Sequence, residues 1–482
     1  MSNFRAYSLR KLVSIAPRYL PFADVATDNV PLSRLLRLSL FQVTVGMALV
    51  LLVGTLNRVM IVELAVPATL VALMLAIPLL FAPLRAFIGF KSDTHRSALG
   101  WRRVPYIWKG TLYQFGGFAV MPFALLVLSG YAEAHDTPRG VGLTAAAIAF
   151  LLVGAGIHIV QTVGLALATD LVKEEDHPKV VGLMYVMLLL GMVFAALIYG
   201  ALLANYTPGR LIQVIQGTAV VTVALNMIAM WKQESRDRER AYQMEQAKPK
   251  QFKAEWARFM AQPGTLRLLI LIGLGTFGFS MADVLLEPYG GQALGLSVAE
   301  TTKLTAMLAG GTLIGFGIAS RVLGRGGDPA RLSITAALIG VPGFAAVILS
   351  SAFWGPALFV AGVFATGLGA GLFGHSTLTS TIRRAPKGQI GLSLGAWGAV
   401  QATCAGLGVA MAGIIRDILV GTGAFPGLLP HTPYNFVFTL EIVFLALAVF
   451  IAVPLLASRA SGKFSGTGTD PSGPTTNPVE VS

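Results

Sequence analysis

The sequence predicts an all-α membrane protein of twelve transmembrane helices in two six-helix bundles. Three observations lead there: the composition is too apolar for water, apolar runs of membrane-crossing length recur, and Lys and Arg fall on one side. Of the 482 residues, 55% are hydrophobic and 12% charged, against about 25% charged in an ordinary soluble domain. Mean hydropathy is +0.70. An apolar run of about 20 residues spans roughly 30 Å as a helix and needs a bilayer as its solvent.

Such runs predict spans at 35–58, 65–88, 104–130, 141–169, 180–203, 211–231, 266–288, 301–323, 332–352, 356–381, 391–418 and 435–457. Pro67 and Pro78 are expected to kink the second. The first run begins near Leu35, too late and too long for a cleavable signal core, and no small-residue cleavage site follows. Gly is abundant, with 54 residues and no collagen period, which reads as close packing of membrane helices. The single cysteine, Cys404, excludes intrachain disulfides and cysteine-rich metal sites.

Orientation follows from the basic residues. With the N-terminus in the cytoplasm, cytoplasmic segments hold 29 of the 36 Lys and Arg residues, so both termini are expected there. The net charge of +13 is thus topogenic and favours anionic lipid rather than nucleic acid. Five segments result: a basic N-terminal segment 1–34, a first bundle 35–231, a cytoplasmic linker 232–265, a second bundle 266–457, and a Ser/Gly/Thr/Pro-rich tail 458–482 expected to be disordered. Leu9, Leu12, Val13 and Ala16 recur at helical spacing among basic residues, a pattern for a surface helix or simply for a basic arm.

A short internal repeat supports two halves. Ile88-Gly89-Phe90 matches Ile314-Gly315-Phe316, and the same offset carries Asn57 onto Asp283. Val181-Gly182-Leu183 likewise resembles Ile390-Gly391-Leu392. Duplicated six-helix halves around a long central loop describe the major facilitator architecture. The loop between spans two and three holds Gly89, Asp93, Arg96, Gly100, Arg102 and Arg103. It matches the signature of that superfamily apart from about four extra residues before Gly100. These charges are expected to latch the halves together across the cytoplasmic seam; the plainer alternative is a topogenic basic loop. Ala319 stands at the position equivalent to Asp93.

The run Lys91-Ser-Asp-Thr-His-Arg-Ser-Ala-Leu-Gly-Trp-Arg-Arg-Val-Pro-Tyr-Ile-Trp108 resembles the PucC/LhaA family of purple phototrophic bacteria. So do Gly54-Thr-Leu-Asn-Arg-Val-Met-Ile-Val-Glu63, Phe115-Gly-Gly, and Asp283-Val-Leu-Leu-Glu-Pro-Tyr-Gly-Gly291. The resemblance covers residues 18–457. It implies an assembly factor for light-harvesting antenna complexes in the intracytoplasmic photosynthetic membrane, handling or delivering bacteriochlorophyll. The implied partners are antenna polypeptides and the core reaction-centre antenna complex. The N-terminal 34 residues lean toward the LhaA-like, core-antenna branch.

Read on their own chemistry, a few groups inside the spans stand out. Asp283 and Glu287, four residues apart, are expected on one helix face, as a proton-coupled transporter would use them. The plainer reading makes Asp283 a helix-end acid paired with Arg58. Lys109 lies one to two turns inside span three, where it can snorkel to the surface. His158, with Gln161 one turn away, and His375, after the run Gly367-Leu-Gly369-Ala-Gly371-Leu-Phe-Gly374, are candidate axial ligands for chlorin magnesium. A hydrogen-bonded structural histidine is the plainer reading of each. Gly367/Gly371 and Gly311/Gly315 have the spacing of helix-packing glycines. The sequence carries no phosphate loop, dinucleotide fingerprint, HExxH or nucleophile elbow, so no enzyme is expected. The competing function is a proton-coupled secondary transporter of an amphipathic solute or tetrapyrrole. Its polar cavity would draw on Arg85, Lys109, Gln114, His158, Gln161, Asn226, Asp283 and Gln401, a short supply.

Overall fold

In a computed structural model of the protein, the described residues are 30–80, 88, 92, 101, 103–130, 136–173, 176–234, 252–353, 355–384, 390–421 and 429–460. The N-terminal arm before Val30, most of the linker, most of the loop between spans two and three and the tail after Ala460 lie outside them. Among the described residues eleven helices are long and apolar enough to cross a membrane, and a shorter apolar one stands at the second span; no strand occurs there.

In chain order the helices are α1 (Leu32–Glu63), α2 (Ala68–Leu80), α3 (Val104–Ser129), α4 (Arg139–Asp170), α5 (His177–Leu202), α6 (Pro208–Met230) and a short α7 in the linker (Phe252–Met260). The second half holds α8 (Thr265–Ser280), α9 (Leu286–Leu294), α10 (Val298–Gly324), α11 (Pro329–Leu349), α12 (Gly355–Arg384), α13 (Ile390–Gly421) and α14 (Thr432–Ala460). Outside spans two and seven, observed ends differ from expectation by no more than five residues. Local chemistry sets several of them. Thr207 caps α6, Asp328 caps α11, and Ser297 with Glu300 forms a reciprocal capping box at α10, each satisfying amides the helix itself leaves open. Pro67 accepts the first turn of α2, so that proline starts the helix instead of bending it. Pro78 does lie inside α2, and Gly154 on α4 leaves room for its ring: a Cβ there would stand 2.5 Å from the proline Cγ.

The two halves repeat one packing scheme. In the first, α3 packs on α4 and α6, α1 on α5, and α2 on α4. In the second, α11 packs on α12 and α14, α8 on α13, and α10 on α12. The halves meet through α2 with α13 and α5 with α10. Large apolar side chains such as Phe450, Phe194, Val220 and Trp231 stay exposed around the perimeter, the belt that lipid covers in a membrane. Glycine sets the tightest crossing: a Cβ on Gly371 would overlap the Thr312 carbonyl, and one on Gly311 the Phe364 carbonyl, so α10 and α12 touch backbone to backbone. We call the end carrying Arg34, Arg103, Arg321 and Arg383 the basic end and the other the far end.

Span seven departs from expectation. A continuous helix over 266–288 is predicted, but α8 stops at Ser280, a 3-10 turn covers Met281–Val284, and the chain resumes as α9. Span one is irregular at the same depth, with widened π-helical turns over Val50–Leu56 and Val59–Glu63. Such turns leave backbone groups that tertiary contacts must satisfy.

Candidate functional site

The two irregular segments face each other across the halves. Asn57 Nδ2 donates to Val284 O (2.9 Å), the hydroxyls of Thr55 and Thr302 lie 3.1 Å apart, and Arg58 Nη2 donates to Leu296 O (3.0 Å). A carbonyl released by the broken helix thereby finds a donor on the partner half. The positions related by the sequence repeat, Asn57 and Asp283, thus flank one seam. Arg58 forms its ion pair with Glu63, which corrects the expected pairing with Asp283: the guanidinium that bridges the seam to Leu296 O meets an acid five residues on in its own segment.

Gly54 makes room for an acid. A Cβ there would stand 2.5 Å from Glu287 Oε1 and 2.9 Å from Thr305 Oγ1. The Thr305 hydroxyl donates to Glu287 Oε1, while Oε2 is buried without a hydrogen bond. The motifs Gly54–Glu63 and Asp283–Gly291, far apart in sequence, are the two walls of this seam.

Asp283 lines two small cavities. One, about 150 Å³, is bounded also by Gly54, Met192, Glu287 and Thr305. The other, about 190 Å³, is bounded by Pro78, Phe150, His158 and Val409. Leu49 and Val53 border both. Behind the turn, against which α14 packs, Glu441 is fully buried, and neither of its carboxylate oxygens has a hydrogen-bond partner. Carboxyl groups in a bilayer interior are costly and mark pathways or switches; here three converge on the break in span seven. Glu441 was missed by sequence reasoning although the signal is present: it is the sole charged residue from Thr432 to Leu456.

The remaining predicted residues are scattered. His158 shares a cavity with Asp283, while Gln161 is half-buried outside it. His375 lies against the Phe316 ring (centroids 4.2 Å apart), its Nδ1 buried without a hydrogen bond, and borders neither cavity. A cavity of about 190 Å³ falls below the roughly 300 Å³ at which small-molecule pockets begin. A chlorin macrocycle therefore does not fit beside His158 in this conformation. Lys109 is exposed on the perimeter, its ammonium 5.6 Å from the Tyr106 ring centroid toward the basic end, which is the snorkelling geometry. Asn226 is a helix cross-link: Thr44 donates to its Oδ1 (2.8 Å) and its Nδ2 donates to Thr111 (2.9 Å).

Of the expected latch, Gly89, Asp93, Arg96, Gly100 and Arg102 lie outside the described residues. Arg103 bonds within the first half: Nε donates to Asp170 Oδ2 (3.1 Å) and Nη1 to Ser92 Oγ (2.6 Å). Its amide and that of Val104 donate to the Glu234 carboxylate (2.9 and 3.0 Å), which caps α3. Asp170 binds the Arg103 side chain, and the open amides of the helix start attract the Glu234 carboxylate; the expected latch rests mainly on residues outside the described ones.

The profile of the family described as PUCC protein matches residues 55–460. The chain belongs to that family. It is 68% identical over 459 residues to Protein PucC of Rhodobacter capsulatus, covering 94% of this chain and 99% of that one. It is 60% identical to Protein PucC of Rhodovulum sulfidophilum, covering 86% and 92%. It is 26% identical to the bacteriochlorophyll synthase 44.5 kDa chain of R. capsulatus, covering 89% and 97%. Among solved structures it resembles an inward-facing bacterial homologue of the lysosomal transporter Spinster (TM-score 0.62, 17% identity, 89% of this chain and 96% of that one). A bacterial ferroportin homologue, also inward-facing, is as similar (0.62, 18%, 88% and 98%). Identities this low speak to fold alone, and the fold is of the major facilitator type.

Proposed function

We propose that this member of the PUCC protein family assembles bacterial light-harvesting antenna complexes from within the photosynthetic membrane. Family membership over residues 55–460 carries the reading. Identities of 68%, 60% and 57% to proteins named PucC favour the peripheral-antenna branch over the core-antenna branch suggested by the N-terminal segment. The role is escort rather than catalysis, with antenna polypeptides as partners and both termini in the cytoplasm. Bacteriochlorophyll is the pigment this reading implies, and the small cavity beside His158 supports contact on the lipid-facing surface or on the antenna polypeptides over a site inside the bundle.

The test is a deletion strain. Antenna absorption in isolated membranes should fall several-fold while extractable bacteriochlorophyll precursors do not accumulate. A biosynthetic block, with a precursor building up, would refute the assembly role.

A second reading draws support from the buried acids in a transporter fold. Asp283, Glu287 and Glu441 at a broken helix suit proton-coupled movement of an amphipathic solute or tetrapyrrole. Proteoliposomes under an imposed pH gradient separate the two: proton flux dependent on Asp283 supports transport, and its absence supports assembly alone.

A further inference from the structure

A larger cavity than those at the acid seam lies at the basic end. It is an open groove of about 990 Å³ between the start of α1, the start of α3 and the end of α6. Its wall is apolar and aromatic, with Trp101, Trp108 and Trp231 joined by Met227 and Ile228. Trp108 and Trp231 are 37% and 65% exposed. Its rim is basic, formed by Arg34, Arg37 and Lys232.

The polar groups around it are unequally committed. Arg34 is tied down: Nη2 donates to Gln233 O (2.8 Å) and Nε to Gln233 Oε1 (3.2 Å), while Gln233 Nε2 donates back to Arg34 O (3.2 Å). Gln233 is itself fully buried, so this link is a fixed floor. The acid in the groove, Glu234, is spent on the α3 amides. Arg37 is left over. Its Nε is buried without a hydrogen bond, and among the described residues no carboxylate pairs with it. Lys232, held at φ +53° just past α6, is likewise exposed and without an ion pair among them. A buried guanidinium N–H with no acceptor is costly, and its fork geometry matches phosphate.

We propose that this groove is a binding site for an anionic phospholipid. Its phosphate sits between Arg37 and Lys232, and an acyl chain runs along the three indoles. Charge complementarity selects this occupant: a zwitterionic headgroup would bring its own cation to an already basic rim. The aromatic wall belongs to the interfacial depth where indoles settle in bilayers. The proposal does not depend on the assembly reading.

The six tryptophans make the test direct. Changing Trp256, Trp354 and Trp397 to Phe leaves fluorescence from the groove alone. In nanodiscs this variant should be quenched more strongly by brominated phosphatidylglycerol than by brominated phosphatidylcholine at equal mole fraction. Arg37→Ala with Lys232→Ala should reduce that selectivity roughly 25-fold, taking about five-fold per basic side chain near a lipid surface. Arg321→Ala with Arg325→Ala removes the same charge elsewhere at the basic end and should leave it unchanged. Size-exclusion profiles confirm that each variant is folded. Equal quenching by both lipids, selectivity surviving the Arg37/Lys232 change, or an equal loss in the Arg321/Arg325 control overturns the proposal. The first outcome would leave the groove as ordinary lipid annulus or a seam for a partner helix.

Discussion

The two halves share one packing scheme but bury different kinds of polar group. In the first half, Thr44, Thr111 and Asn226 close a neutral network across α1, α3 and α6, and the Thr111 hydroxyl also donates to Ile107 O. Each contact is a modest gain, about 0.6 kcal/mol on average for hydrogen bonds between membrane helices. In the second half, Asp283, Glu287 and Glu441 gather at a broken helix, with three carboxylate oxygens of Glu287 and Glu441 left without hydrogen bonds. A buried polar atom left without a partner costs about 1–3 kcal/mol. Gln42 and Gln114 of the first half are also buried without partners, so the difference between the halves lies in the acids that the second one buries.

The sharpest way to break this comparison is Asp283→Asn with Glu441→Gln. Antenna absorption in membranes should fall several-fold, while the melting temperature of the purified protein should rise, because an amide is easier to bury than a carboxylate. A lowered melting temperature with normal antenna would make the acids structural, like the first-half network. Asn226→Leu should do the converse. Losing two hydrogen bonds costs about 1 kcal/mol, a fall of roughly 1 °C in melting temperature for a chain of this length, with antenna assembly retained. The smallest effect is expected for Lys109→Leu, within about 0.5 kcal/mol by thermal melting, since its ammonium already reaches the surface over Tyr106. A larger loss of antenna there would mean that the perimeter of α3 meets a partner.

How legible was the site? Asp283 and Glu287 stood out as charges inside an apolar run, and the repeat paired Asp283 with Asn57 before any contact was visible. Glu441 carries the same local signal in span twelve, but no motif surrounds it. The groove of Trp101, Trp108 and Trp231 had no signal at all, since its residues come from three separate segments.

Hydropathy and the placement of Lys and Arg are local properties, so the sequence by itself determined the spans, their ends within a turn or two, and the division into two halves. Tertiary structure decided the rest. No Gly or Pro stands within Met281-Ala-Asp-Val284, but Pro288, four residues past Val284, has no amide to bond the Val284 carbonyl and its ring crowds it. The turn persists because Asn57, from the other half, donates to the carbonyl that it frees. Arg58 turned to Glu63, and Arg103 to Asp170 and Glu234, because the choice among several nearby acids depends on where helices cross. That information resides in backbone contacts such as Gly371 against Thr312, where the absence of a side chain, read only against its neighbour, sets how close two helices come.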